Sequence, residues 1–304
     1  MEKYILQTDA LKKSYKGFNA LDGLTMKVPE GAIYGFVGRN GAGKTTLLRL
    51  ICGLQRPTSG GFALFGIRGD SGDIASARRR MGAMVERPAL YPDMTAAENL
   101  KQQYRILGLG SFDGIPGLLK LAGLDDTGSK KVRHFSMGMR QRLGIALALA
   151  GEPDFLVLDE PVNGLDPQGI VALREMLLRL NRERGTTMLI SSHILDELSR
   201  LATHYGIIDR GRMVRELNAA ALESACRSRT RMEVSDTRVL SRVLDHMGME
   251  YEVISETTAD VFLKGTVTRL VLALAGEDCE VFSMREREQS LESYFLSLVG
   301  GEAP

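Results

Sequence analysis

Gly38-Arg39-Asn40-Gly41-Ala42-Gly43-Lys44-Thr45-Thr46 is the stretch whose reading decides the fold. Ahead of it, Ile33-Tyr34-Gly35-Phe36-Val37 is a short apolar run that reads as a buried strand. Behind it, Leu47-Leu48-Arg49-Leu50-Ile51-Cys52 reads as the first turns of a helix. A glycine-rich turn between strand and helix, ending in Lys-Thr, is the phosphate-binding P-loop pattern. Glycines let successive backbone N–H groups curl round an anion without a side chain in the way. The helix N-terminus adds unpaired donors and a positive dipole end. Lys44 can reach the outer phosphates, and the Thr45 hydroxyl can ligate Mg²⁺. A glycine-rich turn that only caps a helix is the alternative, and the flanking strand and helix weigh against it.

The 304 residues suggest two domains. With 44% hydrophobic and 25% charged residues, the chain can bury a sizeable core. Its net charge of +1, from 39 basic and 38 acidic residues, gives no bulk attraction to nucleic acid or to an acidic membrane. Cys52, Cys226 and Cys279 are widely spaced and form no CxxC, which points to reduced thiols in a cytosolic setting. No apolar run is long enough to span a membrane, and the first residues lack a signal-peptide profile.

Around the P-loop the chain alternates strands and helices. Residues 4–8 and 24–28 read as an antiparallel pair leading into the P-loop strand. Tyr15 follows in a loop, where it could stack on a base or be a partly buried loop tyrosine. Phe62–Phe65 reads as a strand and Ala75–Arg80 as a short helix whose Arg78-Arg79-Arg80 forms a solvated face. Met81–Val85 is a strand ending at Glu86, and Thr95–Leu107 and Ile115–Ala122 are helices of a small helical lobe. Asp93-Met94-Thr95 offers N-cap candidates, with Glu98 in the first turn. Ser136 is a good N-cap for a helix running to Ala150. Phe155–Leu158 is a buried strand ending in Asp159-Glu160, and two adjacent acids there are costly unless they serve a purpose. Asp159 can hold Mg²⁺, directly or through water, and Glu160 can polarise a water for attack on a γ-phosphate. Pro167 is well placed to open a helix running to Arg184. His193, just beyond the strand Thr186–Ser191, is where a γ-phosphate contact could sit. The alternation implies an α/β core with ligands at the strands' C-terminal ends.

With the P-loop, Phe135-Ser136-Met137-Gly138-Met139, Asp159-Glu160, Asn163-Gly164-Leu165-Asp166 and His193 in that order, residues 1 to 225 resemble an ABC-transporter ATPase subunit. The resemblance implies a P-loop NTPase core with an antiparallel β subdomain and a helical subdomain over about residues 87–150. It implies ATP and Mg²⁺ as ligands. Tyr15 matches the adenine-stacking aromatic, residues 38–46 the Walker A loop, Asp159 the end of Walker B, Glu160 the catalytic glutamate and His193 the switch histidine. Asp166 lies in the D-loop. Ser136 and Gly138 match the signature motif that meets the γ-phosphate held by the opposite subunit, so activity implies a dimer of two such chains. Met137 and Met139 replace the usual glycine and glutamine. Glu86 stands where most members have the Q-loop glutamine, which touches Mg²⁺ and the attacking water, and its carboxylate is still an oxygen ligand for that metal. Followed by Arg87-Pro88-Ala89-Leu90-Tyr91-Pro92, it is similar to the bacitracin- and lantibiotic-resistance branch. That branch implies export of, or immunity to, peptide antibiotics through a separate membrane permease, with the chain peripheral on the cytoplasmic face.

Beyond residue 225 the motifs stop. Arg231–Val234, Tyr251–Ile254, Val261–Leu263 and Glu280–Phe282 read as strands, and Val239–Met247, Thr266–Ala275 and Leu291–Val299 as helices. The order βαββαβ suggests a ferredoxin-like appendage over 226–304, serving dimerisation or docking rather than ligand sensing. Two other functions fit the residues: a soluble ATP-gated switch on a non-membrane partner, and an ATP-binding module with little hydrolysis.

Overall fold

The computed structural model describes residues 3–226, 229–262, 267–287 and 291–299. The chain divides into two compact units, Met1–Ala219 and Ala220–Pro304. The boundary expected after residue 225 therefore falls earlier, at the start of helix Ala219–Ala225.

The first unit opens with two long strands, β1 (Tyr4–Tyr15) and β2 (Phe18–Pro29), then β3 (Ile33–Val37) and α1 (Lys44–Ile51). β4 (Ser59–Leu64), β5 (Ile67–Arg68), α2 (Ile74–Arg79) and β6 (Met81–Met84) follow. α3 (Ala96–Leu107), α4 (Ile115–Leu121), a 3₁₀ turn (Val132–His134) and α5 (Met137–Ala148) come next. The unit closes with β7 (Phe155–Asp159), α6 (Pro167–Arg184), β8 (Thr187–Ser192), α7 (Leu195–Ser199), β9 (His204–Asp209) and β10 (Arg212–Asn218).

Two sheets result. β2-β1-β4-β5 is antiparallel. The other has the order β10-β9-β3-β8-β7-β6, with β9, β3, β8, β7 and β6 parallel and β10 antiparallel on the edge. Every residue of β3, β7 and β8 is buried, as parallel strands covered on both faces require. Each fully buried Val, Leu or Phe contributes roughly 1.5–3 kcal/mol, so these strands form a stiff platform. Their C-terminal ends lie side by side: Val37 pairs with Ser192, and Asp159 with Ser191. Segments far apart in sequence are thereby gathered at one edge.

Helix starts follow from local chemistry. Thr95 caps α3 by accepting from Glu98 N at 3.1 Å, and the Glu98 carboxylate accepts from Thr95 N at 2.7 Å, which selects Thr95 over Asp93 as the N-cap. The arginine run is not a solvated face throughout. Arg78 is half-buried and donates from Nε to Ile51 O at 3.0 Å, satisfying a carbonyl at the end of α1. Arg80 pairs with Asp154 at 2.7 Å and lies over the Phe65 ring.

The second unit begins with α8 (Ala219–Ala225) at the boundary and continues with β11 (Arg229–Val234), α9 (Thr237–Met247), β12 (Glu250–Val253) and β13 (Thr258–Phe262). α10 (Val267–Gly276), β14 (Val281–Arg287) and α11 (Leu291–Val299) complete it. Its sheet has the order β12-β13-β11-β14, with every neighbouring pair antiparallel. Met232, Val234 and Val261 from the sheet, with Leu240, Leu244, Leu270 and Leu274 from α9 and α10, form its core. Leu263 and Thr266, expected as element ends, lie outside the described residues.

Candidate functional site

The P-loop is built where β3 ends. Gly38 N donates to Ser192 O at 3.3 Å, which ties the loop to the end of β8. A Cβ on Gly38 would lie 2.6 Å from Ile208 O, so only glycine lets the backbone pass there. Gly43 has φ 110° and precedes α1; no side chain caps the helix start. Gly43 thus offers no side-chain cap to the first N–H groups of α1, a helix start that suits an anion. Lys44 is almost fully buried and donates from Nζ to Gly38 O at 2.5 Å and Arg39 O at 3.3 Å.

Two neighbouring strands deliver the carboxylates and the histidine. Asp159 ends β7, is 3% exposed, and accepts a hydrogen bond of 2.5 Å from Ser191 Oγ. Glu160 follows with φ 47°, its N–H donating to Ser191 O at 3.1 Å and Ser191 Oγ at 3.0 Å. That left-handed turn swings the side chain off the strand line and over the P-loop. Glu160 Oε1 lies 3.2 Å from Lys44 Nζ, and Oε2 lies 2.8 Å from His193 Nδ1. One carboxylate therefore joins the P-loop lysine to the histidine after β8.

Lys44, Glu160 and His193 border a cleft of about 360 Å³. Its walls include Tyr15, Phe18, Arg39, Asn40, Gly41, Gly43, Lys44, Thr45, Thr46, Arg49, Glu160, Asn163 and His193. Tyr15 is the last residue of β1 rather than a loop residue; it is exposed, and its hydroxyl donates to Gln55 Oε1. Lys13 Nζ stands 5.1 Å from the centre of its ring. The cleft suits a phosphate chain, with a base beside the aromatic end. The Thr45 hydroxyl and the Asp159 carboxylate are hard oxygen donors of the kind Mg²⁺ takes. Among the described residues no group of three His, Cys, Asp or Glu side chains could hold a metal alone.

The other expected site residues lie elsewhere. Ser136 caps α5 by accepting from Met139 N at 3.2 Å. Asp166 caps α6 by accepting from Gly169 N at 3.0 Å. The two helix starts adjoin: a Cβ on Gly138 would touch Leu165, and one on Gly164 would run into Met137 Sδ. Met137 thus fills space above the turn before α6. Met139 Sδ stands 4.0 Å from Lys130 Nζ.

Glu86, expected as a metal ligand, is joined to Arg49 in an ion pair. Its φ of 65° is left-handed. For a residue with a Cβ that costs roughly 1–2 kcal/mol. The pair is exposed, 36% at Arg49 and 53% at Glu86. Such a pair contributes no more than about 1 kcal/mol, so it does not offset the backbone strain.

The chain matches the ABC transporter family over residues 21–163. It is 39% identical to the bacitracin transport ATP-binding protein BcrA of Bacillus licheniformis, over 98% of each chain. The chain belongs to the ABC transporter ATP-binding family. It is also 40% identical to the lantibiotic transport ATP-binding protein SrtF of Streptococcus pyogenes, over 70% of this chain and 90% of that one. Among solved structures it is similar to the dimeric post-hydrolysis state of an ATP-binding cassette bound to ADP and Pi, with TM-score 0.65 and 26% identity. That match covers 70% of this chain and 98% of the other.

As a member of this family the chain is an ATP-binding cassette, and its cleft holds residues that sequence reasoning passed over. Phe18 faces the cleft opposite Tyr15 across the β1–β2 turn and is 59% exposed. A large apolar side chain beside a Lys-Gly turn was the available signal. Ser191 fixes both Asp159 and Glu160, but a serine inside an apolar strand gives no such sign. No described helix is long and apolar enough to cross a membrane.

Proposed function

We propose that this chain hydrolyses ATP to drive a separate membrane permease, and that the assembly exports, or gives immunity to, peptide antibiotics. The observation that carries the reading is Glu160 bridging Lys44 and His193 over the P-loop. Similarity to bacitracin and lantibiotic transport proteins supports the substrate class. The P-loop N–H groups and Lys44 bind the outer phosphates. Tyr15 and Phe18 hold the base. Thr45 and Asp159 are the residues that would hold Mg²⁺, which when bound neutralises charge on the phosphates. Glu160 accepts the proton of the attacking water, and His193 orients its carboxylate.

A second copy of the chain completes the site. Ser136 and Gly138 at the start of α5 meet the nucleotide of the partner, and Asp166 orders the adjoining turn. The strand order of the second unit supports a ferredoxin-like reading and a docking or dimerisation role. The chain works on the cytoplasmic face, carried there by its permease.

Phosphate release by the purified chain tests hydrolysis directly. Recovery of a multi-span protein with the chain from detergent-solubilised membranes tests the permease, and loss of bacitracin or lantibiotic tolerance on deletion tests the substrate class. A chain that releases phosphate but brings down ribosomes or nucleic acid instead is a soluble switch.

A further inference from the structure

We propose that Arg49, which lines the nucleotide cleft, is a positioning residue: it holds the Glu86 carboxylate, one side chain away from the cleft, as a neutral pair, and this neutrality sets the affinity for MgATP. The inference rests on the ATPase reading above and concerns the same site.

Arg49 sits on α1, the helix that carries Lys44, Thr45 and Thr46, and it borders the same cleft. Its guanidinium is not needed to finish α1. The Arg49 carbonyl already accepts from Leu54 N at 2.9 Å and Gln55 N at 3.3 Å. The Ile51 carbonyl accepts from Arg78 Nε at 3.0 Å. The guanidinium instead reaches Glu86, across 37 positions of sequence.

Glu86 gives a reason for that contact. It lies just past the end of β6, in a left-handed conformation that its exposed ion pair does not offset. Stability therefore does not explain the contact, while position does. The charges at the cleft make position matter. Lys44 is already matched by Glu160, and Asp159 is a second carboxylate at the strand ends. An uncompensated third carboxylate would repel a triphosphate. With Arg49 beside it, Glu86 adds no net charge. Arginine suits the task because its guanidinium stays charged at every working pH and presents a fork of donors.

The test is a double-mutant cycle on the full chain, reading KM for MgATP and kcat from phosphate release. Arg49→Ala leaves the carboxylate bare and should raise KM about tenfold. Glu86→Gln removes the charge and should leave KM within about threefold of wild type. The double variant Arg49→Ala/Glu86→Gln should return KM to the Glu86→Gln value. Arg49→Lys keeps the charge and should stay near wild type, which separates charge from packing and covers a poorly folding alanine variant. The Arg49→Ala effect should also shrink as KCl rises, because exposed charges are screened. Equal KM increases from Arg49→Ala in the wild-type and Glu86→Gln backgrounds would mean that Arg49 touches the nucleotide or only supports the fold, and would overturn the proposal. A wild-type chain that releases no phosphate overturns the ATPase reading and this inference with it. An active wild type with additive variants overturns this inference alone.

Discussion

Replacing Glu160 with glutamine separates binding from chemistry more sharply than any other change at this site. The carboxylate stands 3.2 Å from Lys44 Nζ and 2.8 Å from His193 Nδ1. Glutamine keeps the size and can keep one hydrogen bond, but it neither accepts a proton from water nor neutralises the ammonium. Loss of a general base lowers turnover by about 10²–10⁴. That corresponds to roughly 3–5 kcal/mol of lost transition-state stabilisation. Binding should move the other way. At an effective dielectric constant of about 20 the Lys44–Glu160 attraction at 3.2 Å is about 5 kcal/mol before desolvation. Most of that is offset by the cost of burying both charges. Even a residual 1 kcal/mol, returned to Lys44 for use on phosphate, tightens ATP about fivefold. Phosphate release measures the first quantity and titration with a fluorescent ATP analogue the second. Near-normal turnover would remove Glu160 from the role of base. Slow turnover with weakened ATP binding would show that the carboxylate holds the P-loop in shape, and would refute the separation argued here.

Lys44→Ala removes an ammonium held by Gly38 O and Arg39 O, and should weaken ATP about 10- to 100-fold, since charge-assisted hydrogen bonds are worth roughly 1.5–3 kcal/mol; analogue titration reads it, and undiminished affinity counts against the P-loop. Burial pushes the Cys52 thiol up to about 12, against the opposing pull of Arg78. At pH 8 its thiolate fraction is then about 10⁻⁴, so iodoacetamide should label Cys52 slowly in the native chain and readily in urea, by peptide mass spectrometry. The side-chain hydrogen bonds from Lys12 and Arg212 hold the Asp22 carboxyl below its usual range. Its contribution is therefore present above the unfolded value of about 3.9 and is lost as pH falls through the folded one. The Tm deficit of Asp22→Asn should accordingly shrink between pH 7 and the acid end; a deficit unchanged with pH would mean the ion pairs with Lys12 and Arg212 contribute nothing.

The sequence carries the P-loop and the strand ends because their signals are local. A buried strand must be apolar, and a phosphate loop must be glycine-rich, within a few residues. The partners of those ends are tertiary. Glu86 reads in sequence only as an oxygen ligand for the metal; its ion pair with Arg49 of α1 is a tertiary contact that no local signal announces. Arg78 reads as one of three solvated arginines until the end of α1 arrives with a carbonyl to satisfy. Tyr15 reads as a loop residue because the alternation of β1 fades after residue 8, although hydrogen bonding to β2 continues to the Tyr15–Phe18 pair. Phe18 goes unread for the same reason: its neighbour across the turn, not its own surroundings in sequence, gives it meaning.

Under the proposed function, the shared carboxylate would order binding before chemistry. Lys44 carries one positive charge, and that charge is divided between two loop carbonyls and Glu160. A phosphate chain in the P-loop competes with Glu160 for the same ammonium and brings more charge to the contest. Under the function proposed here, filling the loop therefore weakens the hold of Lys44 on Glu160 and leaves His193 as its main support. His193 lies on the segment after β8, whose end is hydrogen-bonded to the P-loop through Gly38 N and Ser192 O. The same event that seats the substrate thus releases the base from its resting partner while keeping its orienting one. The base is freed where there is a phosphate to attack.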